Sequence, residues 1–511
     1  MCGIVAQWGE VEDSAGERML RRLEHRGPDD AGTRRIGNAW LGHRRLSIVD
    51  VGGGHQPLSD SRGFGYLVCN GEIYNHEQIR ESLTSVDWQT TSDSEAALHV
   101  IERYGALGLS RLHGMFSLVY ADRNGRFLAA RDPVGIKPLY WAQTSDRIVF
   151  ASELSAFDPD LRPRVEAFPP GCVWSPERGL QRFASAVPGS LRNAPPDPGS
   201  RDGRHEKDMA TALRDVLVSS VARQMLGDVP VGVLPSGGLD SSPVAAVAAR
   251  WCAARGRRLP TFAIGTAASP DLAAARQVAA YLGTDHHEYT YDSEQAFELL
   301  PEVVRAIEHF DPSLVRSAVP NYLLAREAAK HVKAVLTGEG ADELFGGYEY
   351  LTEDDSYAEP ETLHRELVRS IEELHGLNLQ RCDRVTMAHG LEARVPFLDS
   401  DVIAHAMSLP PELKALEPDG MEKGHLRRAF DGWLPESLLW RRKVQFGTGS
   451  GAQDVLAPHL DGLIGDGELA AARRESGVEL RSNEELAYYR AFRRALPSVR
   501  PDAVITRFAT A

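Results

Sequence analysis

Up to about residue 183, apolar positions fall in short runs broken by glycine. The runs at 64–69, 115–120, 127–130 and 147–151 are apolar and aromatic, and each predicts a strand. Many strands with few long helical patterns predict layered sheets. Across 184–206 proline, glycine and serine take over, which predicts a linker with no core of its own. From 207 the period changes. Leu213, Val216, Leu217 and Val221 share one helical face between 207 and 225. The pattern then predicts strand 229–234, helix 243–254, strand 261–264, helix 269–282, and strands 286–289 and 334–336. Strands alternating with helices predict a doubly wound parallel sheet, with ligands at the carboxyl ends of its strands. Beyond about 363 the pattern is mainly helical.

Three segments result: 2–183, the linker 184–206, and 207–511. A chain of 511 residues is too long for one core, which agrees with two folded halves. With 72 acidic against 57 basic residues the net charge is −15, which argues against nonspecific nucleic-acid binding. No apolar run is long enough to cross a bilayer, so no membrane association is expected. The first residues lack the pattern of a secretion signal. The five cysteines are scattered without a C-x-x-C pair, so neither a disulfide framework nor a zinc site is expected, and the setting predicted is cytoplasmic.

The densest chemistry lies at 231–242, V-G-V-L-P-S-G-G-L-D-S-S, between a predicted strand and a predicted helix. Gly237 and Gly238 let the backbone approach an anion, and the helix start aims free N–H groups at the same place. Ser236, Ser241 and Ser242 add hydroxyl donors, and Asp240 can hold the Mg²⁺ that accompanies a polyphosphate. The spacing is not that of a P-loop and no lysine sits in the turn. The segment resembles the pyrophosphate-binding loop of enzymes that cleave ATP between its α- and β-phosphates.

Cys2 follows the initiator methionine, and its small side chain permits removal of that methionine. A thiol and a free α-amine would then share one residue, and an amine titrating near pH 8 can serve as base for its own thiol. Other residues of the first half fit one task. Arg45 can clamp a carboxylate through two bonds, and Glu72 and Asp93 can accept from an α-ammonium. The Asn70 amide and the Gly71 backbone N–H form a candidate oxyanion hole, although Asn-Gly also reads as a hairpin turn.

Cys2-Gly3-Ile4, His25-Arg26-Gly27-Pro28-Asp29, the segments 42–50 and 70–75, and Arg131 to Tyr140 resemble a class II glutamine amidotransferase domain. Joined to the Ser236 loop, the chain resembles the glutamine-hydrolysing asparagine synthetase family along its length. The later motifs Ser269-Pro270-Asp271-Leu272, His286-His287-Glu288, Gly338 to Tyr348, Gly390 to Asp399, Met421-Glu422-Lys423 and Trp440-Arg441-Arg442-Lys443 agree.

The resemblance implies an αββα sandwich of the Ntn-hydrolase type, followed by an α/β doubly wound parallel sheet of the ATP-pyrophosphatase type with added helices. It implies that Cys2 attacks the glutamine amide while Asn70 and Gly71 stabilise the oxyanion. Arg45, Leu46, Ile48, Val49, Asn70, Glu72 and Asp93 would form the glutamine pocket. Leu234, Ser236, Gly237, Gly238, Asp240, Ser241, Ser242, Ile264 and Gly340 would bind ATP, with Asp240 and Asp342 on Mg²⁺. Glu339 would take a proton as ammonia adds, and Lys443 would balance charge on the phosphates. Arg316 and Arg394 are candidates for the acceptor carboxylate. An internal ammonia tunnel and a homodimer are further implications of the resemblance.

Pro235 stands where the family pattern has leucine, and Pro243 falls in the first turn of the following helix, where proline is tolerated. The acceptor expected is aspartate. Two alternatives stay open on sequence alone: a tailoring amidotransferase for another carboxylic acid, and a glutaminase or binding protein with an inactive second half.

Overall fold

A computed structural model describes residues 2–193, 195, 203–417, 419–442, 449–452, 456, 460, 464–465 and 467–508. In the first half two six-stranded antiparallel sheets lie face to face. One runs, in spatial order, Val165–Ala167, Tyr140–Gln143, Arg147–Ala151, Gly3–Gly9, Ala39–Arg45 and Asp30–Ile36. The other runs Gly179–Arg182, Cys172–Ser175, Phe127–Arg131, Gly114–Asp122, Gly65–Ile73 and Leu58–Ser59.

Strand alternation sorts side chains between the layers. Ile4, Ala6 and Leu41 point inward to meet Val68, Val119 and Ala129 of the facing sheet. On the outer face of the first sheet, Val5 and Trp40 pack with Met19 and Leu20 of helix Asp13–Arg21. Helix Ser94–Tyr104 covers the second sheet through Leu98 and Ile101 against Leu67 and Cys69. The layers are therefore αββα. The predicted strands all occur, 147–151 with the same bounds and the others longer: the 64–69 run becomes Gly65–Ile73 and carries on through Asn70-Gly71. No hairpin turn forms there, because Asn70 and Gly71 pair with Ser117 and Phe116 of the neighbouring strand.

The second half holds a five-stranded parallel sheet in the order Asp285–Thr290, Pro260–Gly265, Val231–Val233, Ala334–Leu336 and Glu392–Arg394. The order reverses between Val231–Val233 and Ala334–Leu336, so a crevice opens at the carboxyl ends of those two strands. Strand 229–234 is shorter than predicted because Leu234 to Gly238 leave the sheet to form the loop; the Leu234 N–H still reaches the Leu336 carbonyl at 3.1 Å. The next helix, Ser241–Ala253, starts two residues before the predicted 243 and keeps Pro243 in its first turn.

Helix Gly203–Gln224 buries Leu213, Leu217 and Val221 completely. Helix Gly189–Arg192 falls within the predicted linker. Leu46, Ile48, Met115 and Val134 of the first half share one core with Leu213, Leu217 and Val233 of the second. Among the described residues no helix is long and apolar enough to cross a membrane.

Candidate active sites

Cys2 precedes the first strand and is buried between the two sheets. Its backbone N–H donates to Asn70 Oδ1 at 2.9 Å, and its carbonyl accepts from Arg26 Nε at 2.9 Å. Burial raises the thiol above its ordinary range, and the nearby carboxylates of Glu72 and Glu392 push the same way. Gly71 has φ +152°, and a Cβ there would fall 1.9 Å from the Met115 carbonyl oxygen. Only glycine fits, and its N–H lies on the strand that carries Asn70.

The candidate pocket residues surround this point. Arg45 Nη2 donates to the carbonyls of Val49 at 3.1 Å and Asp50 at 2.6 Å, holding the loop that follows strand Ala39–Arg45. Leu46 and Ile48 are buried beside it, and Val49 is partly buried against the shared core. Asp93 Oδ2 accepts the Ile73 N–H at 2.6 Å. Glu72 is fully enclosed, and burial together with Glu392 and Asp93 lifts its carboxyl well above the ordinary range. Its Oε1 lies 3.4 Å from Arg394 Nη2.

Arg394 is therefore placed differently from the sequence expectation. It sits on the buried edge strand Glu392–Arg394, bonded to Glu392 at 2.5 Å and to the carbonyls of Gln224 and Leu226, each at 2.5 Å. It does not line the second-half cavity but lies behind Glu72 of the first-half candidate pocket. Sequence could not place it, because a strand spelled E-A-R shows no apolar signal.

That cavity, about 340 Å³, opens at the switch point of the parallel sheet. Leu234, Ser236, Gly238, Asp240, Ser241, Ile264, Gly340, Glu339, Asp342 and Arg316 all line it; Gly237 and Ser242 do not. Those two shape the loop instead. Gly237 has φ +70° and packs so tightly that a Cβ would lie 2.5 Å from Ala274, while Ser242 Oγ donates to the Gly238 carbonyl at 2.7 Å. Ser241 Oγ accepts the Ser236 N–H at 3.0 Å and lies 3.1 Å from Ser236 Oγ, so the serines face one another across the turn. Gly338 presses the second loop onto the first, where a Cβ would come within 2.6 Å of Asp240 backbone.

The charged walls are paired. Lys423, in a left-handed backbone conformation and buried, brings its ammonium to both Asp240 and Asp342. Burial opposes that ammonium, yet the two carboxylates hold its pKa above the ordinary range. Arg381 donates to Glu339, whose carboxyl is raised by burial and by Asp342 while Arg381 acts the other way. Glu343 is pushed up to about 7 by burial beside Asp342 and accepts from Tyr348. Arg316 is bonded to both oxygens of Glu484, at 2.8 and 2.5 Å, and so reaches the cavity already neutralised. Lys443 lies outside the described residues.

Lys423 and Arg381 had no role assigned from sequence. Lys423 occurred only within a family motif, and nothing local marks Arg381. The arrangement suits two chemistries: a buried thiol beside the Asn70 amide and the strand that carries the Gly71 N–H, and a glycine- and serine-rich loop facing two carboxylates.

A family model of the glutamine amidotransferase domain matches residues 1–169, and one of asparagine synthase matches 212–361 and 351–503. A glutamine-hydrolysing asparagine synthetase of Asparagus officinalis is 39% identical over 519 residues, covering 96% of this chain and 85% of the relative. Glutamine-hydrolysing asparagine synthetase 2 of Arabidopsis thaliana is 39% identical over 512 residues, covering 96% and 86%. That of Sandersonia aurantiaca is 37% identical over 529 residues, covering 98% and 97%.

Proposed function

The chain belongs to the glutamine-hydrolysing asparagine synthetase family, and from that premise we propose that it draws nitrogen from glutamine at Cys2 and uses ATP to convert aspartate into asparagine. The observation that carries the reading is the pairing, on one chain, of Cys2 held against Asn70 with a cavity where the Ser236 and Gly338 loops converge.

In the first half the Cys2 thiolate attacks the glutamine side-chain carbonyl. Asn70 and the Gly71 N–H receive the oxyanion, ammonia leaves, and water releases glutamate from the thioester. Glu72 and Asp93, held in place by Arg394 and the Ile73 N–H, are suited to the substrate ammonium. In the second half the Ser236 loop cradles the pyrophosphate of ATP. The aspartate β-carboxylate attacks the α-phosphate, giving an acyl-adenylate and pyrophosphate. Ammonia then attacks the acyl carbon, Glu339 accepts a proton, and AMP departs with formation of the amide.

Asp240 and Asp342 fit a divalent cation, since both carboxylates already converge on one positive charge, the Lys423 ammonium. Mg²⁺ held by that pair would neutralise phosphate charge.

Pyrophosphate release should appear with glutamine, ATP and aspartate, and stay at background with a panel of other carboxylic acids. Release with another acid and none with aspartate would transfer the reading to a tailoring amidotransferase. Glutamate release with no ATP cleavage under any acceptor would leave only the first half active.

A further inference from the structure

Helix Asn378–Met387 lies in the second half by sequence yet serves both sites. Arg381 reaches the cavity and donates to Glu339. Asp383 stands two residues further on, a rotation of about 200° around the helix, and so faces the opposite way. There it accepts from Arg26: Nη1 to Oδ2 at 2.8 Å and Nη2 to Oδ1 at 3.1 Å. Arg26 is completely buried, and its Nε is the donor that holds the Cys2 carbonyl.

Cys2 has special need of such a tether. Once the initiator methionine is gone, no preceding residue fixes its backbone. Asn70 then holds its nitrogen and Arg26 its carbonyl. A guanidinium holds a carbonyl in one place only if its own fork is fixed, and a two-bond carboxylate does that. Glu153 adds one bond to Arg26 Nη1 at 2.7 Å, but only Asp383 engages both terminal nitrogens. Burial disfavours the Asp383 carboxylate, yet Arg26 and Arg384 hold it below the ordinary range. Charges this enclosed tolerate few arrangements, so a shift of the helix must be felt at both ends.

We propose that Asp383 is a positioning residue for Cys2, contributed by the synthetase half, and that the helix it shares with Arg381 carries occupancy of the Glu339 cavity to the rate of glutamine hydrolysis. The inference rests on the reading of Cys2 as nucleophile and of the cavity as the site of amide formation. An acceptor carboxylate entering the cavity competes with Glu339 for Arg381. The helix responds, and with it the Asp383–Arg26–Cys2 chain.

The test uses the full chain and two assays: glutamate release from glutamine, and AMP formation from ATP, aspartate and ammonia. In Asp383→Asn, kcat for glutamate release should fall about 10- to 100-fold with KM for glutamine within about twofold, the signature of a misplaced nucleophile. Ammonia-dependent AMP formation should stay within about twofold of wild type. In the wild type, ATP plus aspartate should change glutamate release by about fivefold or more, and in Asp383→Asn they should not.

Arg26→Gln separates positioning from a loosened interface. If the two residues act through one contact, the double variant is no slower than the slower single, whereas independent losses multiply. Wild-type kinetics in Asp383→Asn, multiplied losses in the double variant, or a wild-type rate indifferent to ATP and aspartate would overturn the inference. Should Asp383→Asn lose both assays, the wild type decides alone. The rate at which iodoacetamide alkylates Cys2, followed by peptide mass, must then change about fivefold or more when ATP and aspartate are added, and no change overturns the inference. A wild-type chain with neither activity overturns the proposed function instead, so the two failures are distinguishable.

Discussion

Arg381 donates to Glu339 at the wall of the second-half cavity, so the carboxylate proposed to accept a proton from ammonia is ion-paired within the protein. Burial pushes the Glu339 carboxyl above its ordinary range, while Arg381 acts the other way. Glu339→Gln keeps the shape and removes the base. Amide formation should drop by about 10²–10⁴-fold. Chromatography of asparagine against glutamate checks this, with the glutamate-to-amide ratio rising as nitrogen goes unused.

Lys423 makes a different prediction. Its buried ammonium lies against both Asp240 and Asp342, so Lys423→Met removes a positive charge that the two carboxylates share. The loss should be about 1–3 kcal/mol of stability. A divalent cation binding the same pair would restore part of it, since a ligand of the native state stabilises by mass action. Thermal unfolding with and without millimolar Mg²⁺ is the readout. A larger Mg²⁺-dependent rise in Tm for the variant is expected, and an equal rise would separate these two aspartates from the metal.

The residues that sequence placed well are those whose geometry is local. The Ser236 loop was legible because strand, glycine turn and helix follow one another within a dozen residues. Layered sheets were legible because many short apolar runs have few other ways to bury themselves, whereas the αββα order came from the family resemblance. Lys423 and Arg394 were not, for opposite reasons. Lys423 meets Asp240 across 183 residues of chain, and its left-handed backbone leaves no pattern. Arg394 belongs to a three-residue strand spelled E-A-R, with buried charges in place of apolar residues, so its sequence carries no strand signal. The whole-chain resemblance supplied a role for Arg394 but not its place. Arg316 lines the cavity, and nothing local in the sequence shows its Glu484 partner, which lies 168 residues away.

Gly71 is the position where one methyl group is decisive. An alanine Cβ would overlap the Met115 carbonyl in the centre of the second sheet, with φ in a region that alanine avoids. Gly71→Ala should destabilise the chain by roughly 2 kcal/mol or more and abolish glutamate release. Ammonia-dependent AMP formation should outlast glutamate release in the variant, because the cavity lies in the other sheet system. Parallel assays of the two activities during mild heating check this.

His99 gives a pH dependence of known sign. Although burial opposes its charge, Glu102 at 2.8 Å and Glu95 at 3.4 Å raise it to about 9. The folded value lies above the ordinary one of about 6.5, so the charged form stabilises the fold. That contribution is complete below about pH 6.5 and is lost as pH rises through 9. Wild-type Tm should therefore fall more between pH 6.5 and 9.5 than that of His99→Gln, by about 2–4 °C. Parallel slopes would mean the pair contributes nothing.

Arg394 decides between the acceptor-binding role expected from sequence and the support of Glu72 that its place in the structure suggests. Its guanidinium is entirely buried and spends its donors on Glu392, the carbonyls of Gln224 and Leu226, and the approach to Glu72. No donor points into the cavity. Arg394→Lys keeps a positive charge near Glu392 but cannot reproduce the fork, so the support for Glu72 is what fails. With the 3.4 Å Arg394–Glu72 ion pair disturbed, KM for glutamine should rise about tenfold or more. KM for aspartate, measured with ammonia as nitrogen source, should stay within about twofold of wild type. A rise in the aspartate KM with the glutamine KM unchanged would return Arg394 to the acceptor site and require a rearrangement of strand Glu392–Arg394 on substrate binding.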